Sequence, residues 1–566
     1  MSDIFFLVLR RLRTPLILLI SVYAIATLGM TLIPGVTPDG EPWRMSFFHA
    51  FYFVSFMGST IGFGEIPYEF TDAQRAWVLV CIYTSVISWL YGIGSMLRLL
   101  QDDTFRNAVS QRAFELSIKR IHKPFYIICG YGSTGRLITQ GLAELDLKSV
   151  IIDQDSDRTH MIELEDMRTA PVVLTADVTE PQNLIAAGIN HEHCKGIIAV
   201  TQNDHTNLKI AVASKLVNPS VPVICRSEVE DEADNMASFG TDAIINPYTT
   251  FGRRLNLLSQ NPELHRIHDW FINQHSAIDI DSTVSQHGLP SGKWIICGYG
   301  RFGKAVREHA QDSNIEIVVV DIDPIANNAP SGTIVGRGTE AKTLIEAGIE
   351  DAVVVVAASD DDANNLSILI TAQQLNPKLT TIGRVSKEAN HQLFKHAKCD
   401  YIMRRNQIVA SEVLTTISRP LVVKFLQYSS SLSPEDTEVL VKQICRVAHN
   451  EDPITWRLVI DEKNAPAIVR FLNTERSFKV GDVISNPRFP NSDSILLLLW
   501  RDGMSHLLPT NDMQIKLGDE LLFCGRRNET LFAQHLRDNI ELVDTLINNN
   551  PHEIPLLRWL RRRKHI

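Results

Sequence analysis

Clustered positive charge is the first thing this sequence lacks. Its 566 residues carry 55 lysines and arginines against 65 acids, a net charge of −10. Phosphate-backbone binding needs concentrated cations, which excludes nucleic acid as the main partner. The one strong basic run, Arg561-Arg562-Arg563-Lys564, is terminal. It reads as a solvated tail, with contact to anionic lipid as the alternative. Paired cysteines are also missing. Eight are scattered without a CxxC word, which excludes a disulfide scaffold and leaves reduced structural thiols, with Cys129 and Cys297 inside apolar strands. No nucleophile–base constellation is present, so the chain is not read as an enzyme.

Charge is absent from two long stretches near the start. Pro15 to Ile33 and Trp77 to Leu97 hold no charged residue, and each approaches the roughly 20 apolar residues that a spanning helix needs. No small-residue cleavage site follows the first, which excludes a secretory leader. Arg10, Arg11 and Arg13 precede the first span and Arg98 follows the second, while the loop between carries Asp39 and Glu41. Basic flanks stay inside, which places both termini and everything beyond residue 100 in the cytoplasm.

Between the spans, Met45 to Met57 is apolar but too short to cross, as suits a re-entrant helix shielded by protein. Thr60-Ile61-Gly62-Phe63-Gly64-Glu65 follows it. Stacked rings of backbone carbonyls can replace the water of a potassium ion, and glycine best tolerates the dihedrals that turn them inward. Thr60 adds a hydroxyl ring. One chain supplies one strand of such a filter, so four must surround an axis. The segment resembles the potassium-channel signature TVGYGD, with Ile61, Phe63 and Glu65 as the departures. That resemblance implies potassium conduction; a weakly selective or non-selective cation channel is the alternative. The family's buttressing pore-helix glutamate falls on Phe56, and Tyr52 is expected to substitute by bonding Glu65. The family's hinge glycine would fall near Tyr83 to Ser85, where none exists. Gly92 and Gly94 either bend the inner helix or pack it.

The remainder repeats itself. Ile127-Ile128-Cys129-Gly130-Tyr131-Gly132 recurs as Ile295-Ile296-Cys297-Gly298-Tyr299-Gly300. Each word opens a G-x-G-x-x-G that ends at Gly135 or Gly303. Each follows an apolar strand, opens a helix, and is followed by a second strand ending in an acid, Asp153 or Asp321. This is the dinucleotide-binding arrangement, in which glycines admit the pyrophosphate to a helix N-terminus and the acid accepts from ribose hydroxyls. The acid disfavours a 2′-phosphate, hence NAD-type or adenosine ligands over NADP. Further matches pair Ala187-Gly188-Ile189 with Ala347-Gly348-Ile349, Asn218-Pro219 with Asn376-Pro377, Asp204 with Asp362, Asn207-Leu208 with Asn365-Leu366, and Arg226 with Arg384. Alternating strands and helices imply a mainly parallel sheet in each copy.

Together these features resemble bacterial two-transmembrane potassium channels with tandem RCK (KTN/TrkA-N) domains. The implied fold is an α-helical two-span pore domain with a re-entrant pore helix, two α/β Rossmann-like RCK domains, and a small α+β C-terminal lobe. The expected limits are 1–100 for the pore domain (span 15–33, pore helix 45–57, filter 59–65, span 77–97) and 101–123 for a linker. RCK1 takes 124–270, a connector 271–292, RCK2 293–430, the C-terminal lobe 431–540, and a helix with the basic tail 541–566. In the lobe, Gly481-Asp482 and Lys516 to Glu520 are expected as polar turns between short strands.

The resemblance implies a filter at Thr60, Ile61, Gly62, Phe63 and Gly64. It implies nucleotide contacts at Gly130, Tyr131, Gly132, Ser133, Thr134, Gly135, Asp153, Asp177 and Thr179 in the first copy. In the second they fall on Gly298, Tyr299, Gly300, Arg301, Phe302, Gly303, Asp321 and Arg337, with Thr339 beside them. Arg301 and Arg337 suggest a ligand with more exposed phosphate there, such as ADP. Expected ligands are therefore NAD or NADH, ADP or another adenine nucleotide, potassium in the filter, and calcium. The expected assembly is a homotetramer in the cell (inner) membrane, multi-pass, with a cytoplasmic ring of eight RCK domains. A membrane-tethered NAD-dependent oxidoreductase is the alternative from another class. His191-Glu192-His193-Cys194 reads as a solvated turn, with a metal site as the rival. The acidic runs Glu228 to Glu232 and Asp360 to Asp362 read as solvated helix starts, with calcium binding as the rival.

Overall fold

The computed structural model describes residues 2–64, 66–273, 288–310, 314–448, 453–473, 477–484 and 494–526, with residues 530, 534, 537–539 and 543. Glu65, most of the expected connector and nearly all of the basic-tail segment lie outside the described residues. The chain divides into two compact units, Met1–Arg120 and Ile121–Ile566.

In the first unit, helices over Ser2–Leu32 and Asp72–Leu100 flank a short helix, Phe47–Gly58. The second long helix starts at Asp72 rather than Trp77 because Thr71 and Gln74 close a capping box in front of it. Only 22% and 17% of the most apolar windows of the two long helices are buried within the chain. Soluble core helices would be mostly covered, so these apolar flanks suit lipid. Small residues bring the helices together. A Cβ at Gly29 would stand 2.1 Å from the Trp77 ring, and the Trp77 indole donates to the Ala26 carbonyl at 3.2 Å. Trp89 donates to the Tyr23 hydroxyl at 3.1 Å. Gly92 and Gly94 lie inside one unbroken helix with nothing within 4 Å of a Cβ at either, so neither serves packing among the described residues. The expected linker contains a helix, Asp103–Lys119.

The second unit holds two six-stranded parallel sheets. The first runs in the order Val172–Thr175, Lys148–Asp153, Phe125–Cys129, Cys194–Ala199, Val223–Arg226, Ala243–Ile245. The second repeats it as Ile334–Val335, Ile315–Asp321, Gly292–Cys297, Ala352–Ala357, Thr380–Val385, Tyr401–Arg404. Each glycine loop leaves the strand beside the point where strand order reverses, the usual ligand crevice of open α/β sheets.

The repeated words outside the loops are braces. Asn207 Nδ2 donates to the carbonyls of Thr201 and Arg226 at 3.1 and 3.0 Å. Asn365 does the same to Ser359 and Arg384, both at 2.9 Å. Asn218 and Asn376 each donate to the isoleucine of the Ala-Gly-Ile word at 3.0 Å.

The two halves exchange helices. Pro247–Gln260, which follows the first sheet, packs on Arg301–His309 of the second, burying Tyr248 and Leu255 with Phe302, Ala305 and Val306. Arg405–Ser418, which follows the second sheet, packs on Ser133–Glu144 of the first, burying Val409, Val413 and Leu414 with Ile138 and Leu142. A four-stranded antiparallel sheet follows, in the order Ile454–Val459, Glu520–Gly525, Ile495–Arg501, Met504–Leu507. Gly481-Asp482, read from sequence as a turn, lies in a short helix, Val480–Ile484, whose third residue Asp482 reaches back to accept the Lys479 amide at 2.8 Å.

Candidate functional sites

Ser46 caps the helix Phe47–Gly58, accepting from the His49 amide. Ala50, Phe53, Val54 and Phe56 bury one face of this helix, while Phe47 and Phe48 on it are 70% and 73% exposed. Its C-terminal carbonyls hold the next segment. The Phe56 carbonyl accepts from the amides of Ile61 and Gly62 at 3.1 and 3.3 Å, and the Met57 carbonyl from Thr60 at 3.1 Å.

Thr60, Gly62 and Gly64 have φ of +60°, +63° and +72°, whereas Ile61 and Phe63 do not enter the left-handed region. In an ordinary strand successive residues point to alternate sides. Putting every second residue in the left-handed region rotates alternate peptide planes, so that successive carbonyls face one way. Thr60 is β-branched, and such a conformation costs about 1–3 kcal/mol. The three hydrogen bonds to the helix end offset that cost. The Phe63 ring meets Phe56 edge-on at 6.2 Å, and Phe56 meets Tyr52 at 5.3 Å. An aromatic contact thus stands at Phe56, the position expected from the resemblance to correspond to the family's glutamate; the expected Tyr52–Glu65 bond lies outside the described residues.

In the first glycine loop, Gly130 has φ +100°, and a Cβ on Gly135 would stand 2.0 Å from the Gly130 carbonyl oxygen. The second loop repeats this, with Gly298 at +102° and Gly303 at 2.1 Å. These outer glycines are required by the backbone itself. The middle ones are not. Gly132 and Gly300 have φ of −79° and −72°, and nothing lies within 4 Å of a Cβ on either.

Both acids at the second strand ends are buried. Asp153 accepts the Tyr131 amide at 2.5 Å and the Asp155 amide at 2.8 Å. Asp321 accepts Tyr299 at 2.6 Å, Asp323 at 2.8 Å and the Asn327 side chain at 2.9 Å. Asp177 accepts the amide and hydroxyl of Thr179, both at 2.8 Å, and these bonds hold its carboxyl below the usual carboxylate range. Gly298, Tyr299, Gly300, Asp321, Arg337 and Thr339 line one cavity of about 390 Å³.

Three loop residues face elsewhere. Thr134 is buried and donates to Asn406 at 3.1 Å. Phe302 is buried against Tyr248 and Phe251. The Arg301 guanidinium pairs with Glu228 at 2.6 Å and is not among the lining of that cavity. Glu228 also meets Arg226, and Arg405 at 3.1 Å, while the Tyr248 hydroxyl donates to it at 3.4 Å. Its carboxylate is buried, which overturns the reading of that acidic run as wholly solvated. Burial alone would raise its pKa, but the three guanidiniums bring it below the ordinary value. Glu230, Asp231 and Glu232 do open a helix, and Asp361 caps another by accepting the Asn364 amide at 2.8 Å. His191 accepts the His193 amide at 3.2 Å and stacks edge-on against Phe125. Among the described residues no group of three or more His, Cys, Asp or Glu is placed to hold a metal.

Comparison with known proteins fits this geometry. The ion-channel family model matches residues 17–102, and the TrkA-N domain matches 126–247 and 294–405. The chain is 28% identical over 247 residues to potassium channel protein 1 of Methanocaldococcus jannaschii, covering 44% of this chain and 71% of that one. It is 30% identical over 156 residues to a Trk system potassium uptake protein TrkA homolog of Methanothermobacter thermautotrophicus, covering 26% and 69%. This chain belongs to the potassium channels with TrkA-N (RCK) domains. The channel also aligns with a solved structure described as the GsuK channel bound to NAD, over 94% of this chain and 99% of that one, at 15% identity and a TM-score of 0.45. Its two glycine loops lie one in each TrkA-N domain, and residues 60–64 lie in the ion-channel domain.

Proposed function

We propose that four copies of the channel surround one potassium pathway lined by residues 60 to 64, and that adenine nucleotides of the NAD or ADP type, bound at Gly130–Gly135 and Gly298–Gly303, set whether it is open. The chain spans the cell membrane twice with both termini inside. The observation that carries nucleotide binding is the middle glycine. Neither backbone conformation nor internal packing requires glycine at 132 or 300, whereas the close approach of a pyrophosphate does. Fourfold assembly is supported by the alternating dihedrals, which give one wall of a carbonyl cage, and by the bare aromatic flank of the pore helix. Gating follows only if nucleotide binds two arrangements of the sensor with different affinity.

Potassium flux into liposomes, with and without NAD, NADH, ADP and calcium, tests this. A change in flux with a nucleotide, lost in Gly132→Val or Gly300→Val, is expected; flux indifferent to every ligand sinks the gating half. The Phe56–Phe63 contact favours a second reading. A filter braced only by ring packing would discriminate poorly against sodium, and reversal potentials in mixed potassium and sodium decide it.

A further inference from the structure

A second cavity, of about 630 Å³, lies between the helices that follow the two sheets and touches both. This size falls within the range of small-molecule sites. Its walls are apolar along Leu257, Leu264, Ile272, Val423 and Leu426, and its polar groups are unbalanced in charge. Arg254 is held by Glu412 at 2.8 Å. Arg253 is exposed and has no carboxylate partner among the described residues. His268, in the same lining, leaves its buried Nε2 without a hydrogen-bond partner among the described residues. Two guanidiniums therefore face one carboxylate beside an apolar wall. The histidine feels that excess: burial first, then Arg254, His265 and Arg253, push its pKa down to about 3, so it stays neutral and adds no charge.

We infer that this cavity binds a small organic anion with an apolar body, an aryl carboxylate or aryl phosphate being the minimal form. The anionic head completes the charge of Arg253 and Arg254, and the body covers the leucine and isoleucine wall. No residue of either glycine loop lines the cavity, so the inference stands apart from the nucleotide reading. Because residues following both sheets contribute, an occupant would hold the two halves at one spacing.

The test is isothermal titration of the full chain in nanodiscs, with saturating NAD present, using 1-naphthoate and 1-naphthyl phosphate as the two heads. Inorganic phosphate serves as head alone and 1-naphthol as body alone. Saturable binding of one or both probes is expected, at least tenfold tighter than either control. Arg253→Gln should weaken it about tenfold, and Ser430→Trp, which fills the cavity from an exposed lining position, should abolish it. NAD affinity measured on the same samples should not move in either variant. Absence of saturable probe binding, binding that survives Ser430→Trp, or inorganic phosphate binding as tightly as the naphthyl probes would each overturn the inference.

Discussion

The two TrkA-N copies carry the same six-residue word at their glycine loops and differ in what lies just beyond it. In the first copy the helix opens with Ser133 and Thr134, and Thr134 reaches Asn406 of the other half through one neutral hydrogen bond. In the second it opens with Arg301 and Phe302, which reach Glu228 and Tyr248 of the other half through an ion pair and a ring contact. The partner residue differs too: two places after the repeated arginine stands Glu228 in one copy and Ser386 in the other. The fold is duplicated, but among the described residues an ion pair ties the glycine-loop helix to the other half in the second copy and not in the first. The helix after the second loop therefore joins the halves through a charged side chain, whereas the helix after the first does so through a neutral one.

The comparison breaks first at the glycines. Gly135→Ala or Gly303→Ala drives a Cβ to 2.0 or 2.1 Å from a carbonyl oxygen. A loss of about 3 kcal/mol or more is expected, read as a lowered unfolding temperature or failure to assemble. Gly132→Ala and Gly300→Ala should leave unfolding unchanged and weaken nucleotide binding about tenfold. If the middle pair destabilised as much as the outer pair, the separation of backbone need from ligand need would fail.

Glu228→Gln comes next. It leaves Arg226, Arg301 and Arg405 around a neutral group, at a cost of about 3–5 kcal/mol, while Ser386→Ala on the other side should cost under about 0.5 kcal/mol. The pH dependence follows from the lowered pKa. A carboxylate held below its unfolded value stabilises the fold above that value, and the contribution is lost as pH falls through the folded one. Acid titration should thus destabilise the parent below about pH 4.3, and Glu228→Gln should flatten that part of the curve.

Legibility in the sequence followed distance along the chain. The glycine spacing, the strand that follows and its terminal acid are local, so Gly130 to Asp153 and Gly298 to Asp321 could be read directly. The short apolar helix and the unusual backbone at Gly62 and Gly64 could be read for the same reason, since they are contiguous. Glu228 was hidden because its cations come from a neighbouring strand, from the second loop and from a helix of the other half. Next to Glu230, Asp231 and Glu232 it looks like one more solvated acid. Arg301 misled in the opposite sense. Its place in the loop suggested a phosphate contact, but a residue's position does not give the direction of a long side chain. Arg337 at the same site does line the cavity. Arg337→Ala should accordingly weaken second-site affinity for ADP about tenfold, with no change at the first site, as read by titration.

The smallest effect lies in the first copy, at the arginine nearest its buried acid. Arg158 approaches the buried Asp153 at 3.9 Å, but its own side chain is 45% exposed and bonds the nearby Asp155 at 3.0 Å. An exposed guanidinium at that distance is screened by water, and Asp153 already accepts two backbone amides, so removing the cation leaves no buried charge unsatisfied. Arg158→Gln should change stability by under about 0.5 kcal/mol and first-site nucleotide affinity by less than threefold. Because Arg337 lines its cavity while Arg158 is paired with Asp155, the gap between these two substitutions measures how far the second site depends on a cation that the first does without. A tenfold loss from Arg158→Gln would make the two loops electrostatically alike and remove the asymmetry.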